Sequence, residues 1–204
     1  MKNLLSALLI IVCISVSAQT KFKIKEVVGK DWKSTFYIVN EKGKITKQLD
    51  TTKYLMLMSP KQYVYFAVFA LKNKKGWQAI DFNEKILFEV YNWSPGEPTP
   101  DGLIENRIRI IDKDAKIGFA DEKGNIVIRP QFEIASSFYQ GKAMIGKECK
   151  KIPWGNHENE EGGCHHYSIN CNQNGYINTK GEIIELGDFT FEAIKKKIGW
   201  KTPY

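Results

Sequence analysis

Residues 116–146 read KIGFADEKGNIVIRPQFEIASSFYQGKAMIG, and the fold depends on how this stretch is parsed. Gly118-Phe119 opens a short apolar segment, Asp121-Glu122-Lys123-Gly124 interrupts it, and Ile126-Val127-Ile128 resumes it. A turn that closes on glycine suits a three-residue hairpin loop, because glycine takes the left-handed conformation there without steric cost. The three β-branched residues after it are stiff at χ1 and fit a pleated surface. Pro130 has no N–H to offer a ladder, so the strand is expected to stop there. Phe132 and Phe138 supply apolar surface to hold one unit on the next, and Gly141 leads into a third strand from Lys142 to Ile145. The stretch therefore predicts a structural unit of strand, turn and strand.

The same order of residues recurs along the chain. Downstream, Gly175-Tyr176 is followed by Asn178-Thr179-Lys180-Gly181 and Ile183. Upstream, Gly76-Trp77 is followed by Asp81 and Ile86-Leu87 without a turn glycine, and Phe36-Tyr37 by Asn40-Glu41-Lys42-Gly43 and Ile45 without a leading glycine. Tyr37 and Gly76 are 39 residues apart, Gly76 and Gly118 42, and Gly118 and Gly175 57. That is a period of about forty with an insertion of roughly fifteen residues in the last interval. The expectation is an all-β fold of about four antiparallel hairpin or three-strand repeats, near 21–60, 61–102, 103–146 and 147–188. A short helix or tail should follow over 189–204. Tyr63 to Leu71 is apolar at odd and even positions alike, which predicts a strand buried on both faces. Whether the copies stack as a solenoid or curl toward a propeller is left open.

These residues resemble the WG repeat of exported bacterial proteins, whose copies open with glycine and an aromatic residue and continue through an Asp-x-Lys-Gly turn. The third copy matches that pattern except for Ala115 in place of its first glycine. The fourth matches with an insertion, the second in part and the first weakly, over roughly 150 residues in all. The resemblance implies structural roles for Gly76, Trp77, Gly118, Phe119, Gly124, Pro130, Phe132, Phe138, Gly141, Gly175, Tyr176 and Gly181. It also implies a Bacteroidetes-like origin and a contact or scaffolding role with no assigned reaction.

The chain begins MKNLLSALLIIVCISVSAQT. Lys2, an apolar run from Leu4 to Val16 and the small residues Val16-Ser17-Ala18 read as a secretory signal over 1–18, cleaved between Ala18 and Gln19. The run is shorter than the ~20 apolar residues of a membrane span. Ile10-Ile11-Val12 before Cys13 lacks the small residues of a lipobox. A periplasmic or secreted protein without a transmembrane segment in its mature chain is expected. The net charge is +7. Lysines such as Lys42, Lys44, Lys72, Lys74, Lys75, Lys123 and Lys180 fall in separate turns, which reads as solvated loop tips. Only the C-terminal EAIKKKIGWKTPY is densely basic, and no nucleic-acid partner is expected.

The insertion, 149–171, holds every cysteine and histidine after residue 18: Cys149, His157, Cys164, His165, His166 and Cys171. Three readings stand. A disulfide among Cys149, Cys164 and Cys171 would tie the base of a long loop in an exported protein. A zinc site would draw on Cys149, Cys164, His166 and Cys171, although their spacing lacks the paired ligands of structural zinc sites. A thiol enzyme would pair Cys164 or Cys171 with a histidine, although no nucleophile elbow, zincin helix or dinucleotide turn is present. The acidic run Glu158, Glu160, Glu161 lacks the alternation of a calcium loop. Trp93, Trp154 and Trp200 sit near proline or glycine, where each covers the core beneath its loop or meets a glycan or protein. The function expected is a non-enzymatic, exported binding or scaffolding module of the cell envelope, with no cofactor and with a protein or glycan partner. The alternatives are a metal-dependent or thiol enzyme using loop 149–171, or a glycan-binding module.

Overall fold

The computed structural model describes residues 19–58, 62, 64–92, 99–153 and 167–203. The signal segment, Trp93, Trp154, His157, Cys164, His165 and His166 lie outside them. The described elements are β1 (Phe22–Val28), β2 (Ser34–Asn40), β3 (Ile45–Gln48), β4 (Tyr54–Met58), β5 (Ala67–Leu71), β6 (Trp77–Ile80) and β7 (Ile86–Val90). They continue with β8 (Arg107–Ile111), β9 (Ile117–Asp121), β10 (Ile126–Phe132), β11 (Ile134–Ala135), β12 (Lys142–Pro153), β13 (Tyr167–Asn178), β14 (Ile183–Gly187) and helix α1 (Phe191–Ile198). All pairing is antiparallel, in three open sheets ordered β1-β2-β3, β10-β9-β8-β7-β6-β5-β4 and β11-β12-β13-β14. The all-β expectation holds, and the tail is a helix capped by Thr190 and closed by Gly199 at φ 66°. β5 starts at Ala67 and is buried on both faces.

One turn recurs through the molecule. Starting at Gly29, Asn40, Asp81, Asp112, Asp121 and Asn178, the first N–H bonds the carbonyl four residues on, and the fourth N–H bonds back to the first carbonyl. At the five Asx starts, the side-chain oxygen also accepts the N–H groups two and four residues on. Asx side chains favour such turns for this reason. The fourth residue is left-handed each time, whether Trp32, Gly43, Glu84, Ala115, Gly124 or Gly181. The turn without glycine at Asp81 therefore keeps its geometry through Glu84, and the Asp112 turn is a further copy that the sequence pattern did not reveal.

Two expectations need correction. The strand does not stop at Pro130. Ile128 pairs with Phe119 and Phe132 with Ile117, so Arg129, Pro130 and Gln131 bulge opposite Gly118, and β10 continues to Phe132. A proline costs no ladder bond inside a bulge. The bulge also explains Gly118, since a Cβ there would meet the Ile128 oxygen at 2.4 Å and the Pro130 nitrogen at 2.5 Å. The second difference concerns Gly76-Trp77. Aligned on the Asp81 turn, Gln78 stands where Gly118 stands, and Gly76 falls in the loop before β6 at φ 70°.

Successive copies meet through that left-handed residue. Glu84 pairs with Lys47 of the preceding copy and accepts from the Tyr54 hydroxyl at 2.7 Å. Gly124 sits on Leu87 and Phe66, and Gly181 on Ile128. Four apolar clusters follow in chain order. Phe36, Ile38 and Phe69 lie in the first, Trp77, Phe88 and Ile108 in the second, and Phe119, Phe132, Phe138 and Ile177 in the third. In the fourth, Met144 and Tyr176 pack against Ile194 and Ile198 of α1, so the helix stands where a fifth copy would pack. Terminal caps of this kind close repeat arrays.

The junction of the first two copies should be acid-sensitive. Burial opposes ionisation of Glu84, but Lys47 and the Tyr54 hydroxyl outweigh it and hold the carboxyl below its ordinary value. A depressed carboxyl stabilises above its unfolded pKa, and that contribution is lost as pH falls through the folded one. Melting temperature should drop on acidification between about pH 5 and 3, and Glu84→Gln should blunt the drop. Parallel curves for the two proteins would show that the pair contributes nothing there.

Candidate functional site

The described ends of the insertion are paired strands, and the bridge expected at its base joins them. β12 and β13 keep one register from Lys142↔Asn178 to Pro153↔Tyr167, interrupted only at Glu148, which has φ 54°. The root of this arm packs in the third core through Ala143, Ile145 and Ile177. Beyond Gly146 the two strands project with exposed Lys150, Ile152, Ser168, Ile169 and Asn170. Cys149 and Cys171 face each other across the ladder and form a disulfide. Of the three candidate cysteines the fold joins these two, so neither offers a thiolate to zinc or to catalysis in this state. Cys164 and His166, the other two members of the zinc set, lie outside the described residues. Among the described residues no three His, Cys, Asp or Glu side chains gather to hold a metal.

Neighbouring residues fit the staple. A Cβ on Gly146 would meet the Cys171 sulfur at 2.6 Å and the Ile134 side chain at 2.5 Å, so glycine makes room for the bridge. Glu133 accepts the Cys149 N–H at 2.5 Å and pairs with Lys116 at 3.1 Å. That N–H bond first, and Lys116 second, hold its carboxyl below the ordinary range. Buried Asn174 donates to the Cys171 and Phe189 carbonyls, tying the arm's root to the segment that enters α1.

A second feature is a groove of about 460 Å³ between α1 with its tail and the sheet, lined by Tyr91, Arg109, Ser136, Met144, Phe191 and Trp200. Its polar groups are turned on one another. Arg109 donates Nε and Nη2 to the buried Asp101 carboxylate at 3.0 and 2.7 Å and Nη1 to the Ala135 carbonyl, and its plane stacks on Tyr91 at 4.7 Å. Burial raises the Tyr91 phenol above its ordinary value. The Ser136 hydroxyl donates to the Ser137 carbonyl and accepts the Met144 N–H. Trp200 donates its indole N–H to the Ser137 carbonyl and covers the core, as one reading of its position expected. The arrangement clamps the tail to the sheet. Arg109 could have been noticed in the sequence as a charge inside the apolar alternation Arg107-Ile108-Arg109-Ile110-Ile111. Nothing in the sequence marked Asp101 as its partner, or Glu133 as the partner of Lys116 and the Cys149 N–H.

Hairpins joined by one recurring turn, with cores strung between successive copies, define an antiparallel β-repeat protein. Residues 117–148 match the family model of the WG containing repeat. This chain therefore carries a WG repeat, running from β9 into β12. No curated protein matches the chain.

Proposed function

We propose that this is an exported, non-enzymatic repeat module that binds another macromolecule of the cell envelope, with a protein partner favoured, through the arm formed by β12 and β13. One observation carries the reading: the Cys149–Cys171 disulfide staples the one insertion in an otherwise regular repeat. Disulfides persist in oxidising compartments, in keeping with a signal sequence over 1–18 cut between Ala18 and Gln19. Repeat arrays hold such decorations rigidly, and binding groups concentrate on elements projecting from rigid scaffolds. The enzyme and metal alternatives lose two of their thiols to the bridge. The glycan alternative rests on Trp93 and Trp154.

The test places a photo-crosslinking residue at Ile152 or Ile169 on the arm, or at Val127 on β10 as a control, followed by irradiation of intact cells and intact-mass analysis. Expected is one discrete adduct from the arm positions only, on a chain that starts at Gln19 and is two hydrogens lighter than its reduced form. Free thiols on Cys149 and Cys171 in the cell, or equal adducts from all three positions, would overturn the reading.

A further inference from the structure

The two ends of the array differ. Helix α1 covers the last copy, whereas the first copy presents a projecting hairpin. Phe22, Ile24, Phe36 and Ile38 anchor the β1–β2 pair in the first core. Past them the strands run on to Val28↔Ser34, and Val27 and Val28 are 41% and 55% exposed. At the tip, Gly29 to Lys33 forms the recurrent turn with Trp32 in its left-handed position, φ 61° and 89% exposed. The left-handed conformation belongs to the turn, and what sets Trp32 apart is a large aromatic side chain left exposed there. At the equivalent position three other turns use glycine.

The first copy is also basic, and three of its lysines lie near the tip. Between residues 21 and 47 there are eight lysines against Glu26, Asp31 and Glu41, which accounts for +5 of the chain's +7. Lys42 and Lys44 lie in the turn that starts at Asn40, which pairs with Phe22 at the far end of the hairpin, and Lys47 pairs with Glu84. Lys25, Lys30 and Lys33 flank the apolar tip. The Lys33–Asp31 pair at 2.9 Å is exposed on both sides, so it is easily exchanged for another anion.

We infer that this hairpin docks the protein on an anionic phospholipid surface, with Trp32 and the two valines entering the headgroup boundary and the lysines meeting the phosphates. Tryptophan is favoured at that boundary, and basic residues beside an apolar tip add attraction to anionic lipid. The valines offer no hydrogen bonds to a sugar, which favours lipid over an acidic polysaccharide. The inference is independent of the arm, which belongs to the other end of the array.

The test is flotation of the purified protein with vesicles of phosphatidylcholine alone or with roughly one third phosphatidylglycerol. Binding is expected only to the anionic vesicles, and it should weaken with salt. Trp32→Ala, and separately Lys30→Glu with Lys33→Glu, should each reduce binding by about tenfold or more. Lys72→Glu with Lys123→Glu, in other turns, should leave it within about twofold. Because Trp32 is almost fully exposed, Trp32→Ala should melt no lower than wild type. Absence of binding to the anionic vesicles, or undiminished binding by Trp32→Ala, would overturn the inference. Binding to soluble polygalacturonate that needs Trp32, without binding to vesicles, would replace lipid by polysaccharide and overturn it equally.

Discussion

Gly175→Ala should destabilise the protein by about 3 kcal/mol, the upper range for forcing atoms into a packed site. For a chain of this size that corresponds to a fall of about 6–12 °C in melting temperature. The added Cβ would lie 1.9 Å from the Glu185 oxygen and 2.8 Å from the Leu186 Cα. Both are backbone atoms of β14, so no side-chain rotation relieves the contact. Gly118→Ala meets the same obstacle from the backbone around Pro130 and should behave alike. Gly43→Ala supplies the contrast. Gly43 has φ 75° but nothing within 4 Å of an added Cβ, so only the left-handed penalty of about 1 kcal/mol applies. Thermal melting followed by far-ultraviolet circular dichroism separates the cases. If the variants at 175 and 43 melt together, turn conformation rather than strand approach is what demands glycine in this repeat.

That contrast also explains what the sequence could and could not reveal. The Lys-Gly turns at Gly124 and Gly181 were legible because glycine marks the left-handed position. The turns at Glu84, Ala115 and Trp32 were not, because an Asx or glycine start and a ladder on both sides hold the same geometry at a cost of only about 1 kcal/mol. The leading glycine proved harder to read. Gly118 answers to a facing bulge and Gly175 to the close backbone of Glu185 and Leu186, whereas Gly76 answers to its own positive φ in a loop, and the letters are identical. Burial on both faces of β5 was visible as an unbroken apolar run. The arm was hidden for the opposite reason. Lys147 to Ile152 and Ser168 to Gln173 are mostly polar on both faces, so no alternation announced a strand, and only the cysteines signalled that the segments meet. Trp32 escaped notice because a lone tryptophan in a sequence is ordinarily core, and its exposure follows from the hairpin outrunning the cluster beneath it.

Loss of the bridge should have the second large effect, and it should be local before it is global. Cys149 and Cys171 are 22 residues apart, and closing a loop of that size contributes about 3 kcal/mol in the chain-entropy account. The bond lies in the projecting part of the arm, where Lys147 to Pro153 pair with Tyr167 to Gln173 and two-stranded ribbons are marginal alone. Replacing both cysteines by serine should therefore release the arm's amides to exchange with solvent. Those of Ile117 and Phe119, in the third core, should keep most of their protection. The root should hold as well, because Asn174 and Ala143 depend on contacts below the bridge. Hydrogen exchange read residue by residue decides the matter. Fast exchange confined to the arm makes its order conditional on an oxidising compartment, and links the staple to where the protein can act. Full protection without the bridge would mean that the β12–β13 ladder holds the arm by itself, and the disulfide would lose its role as the arm's organiser.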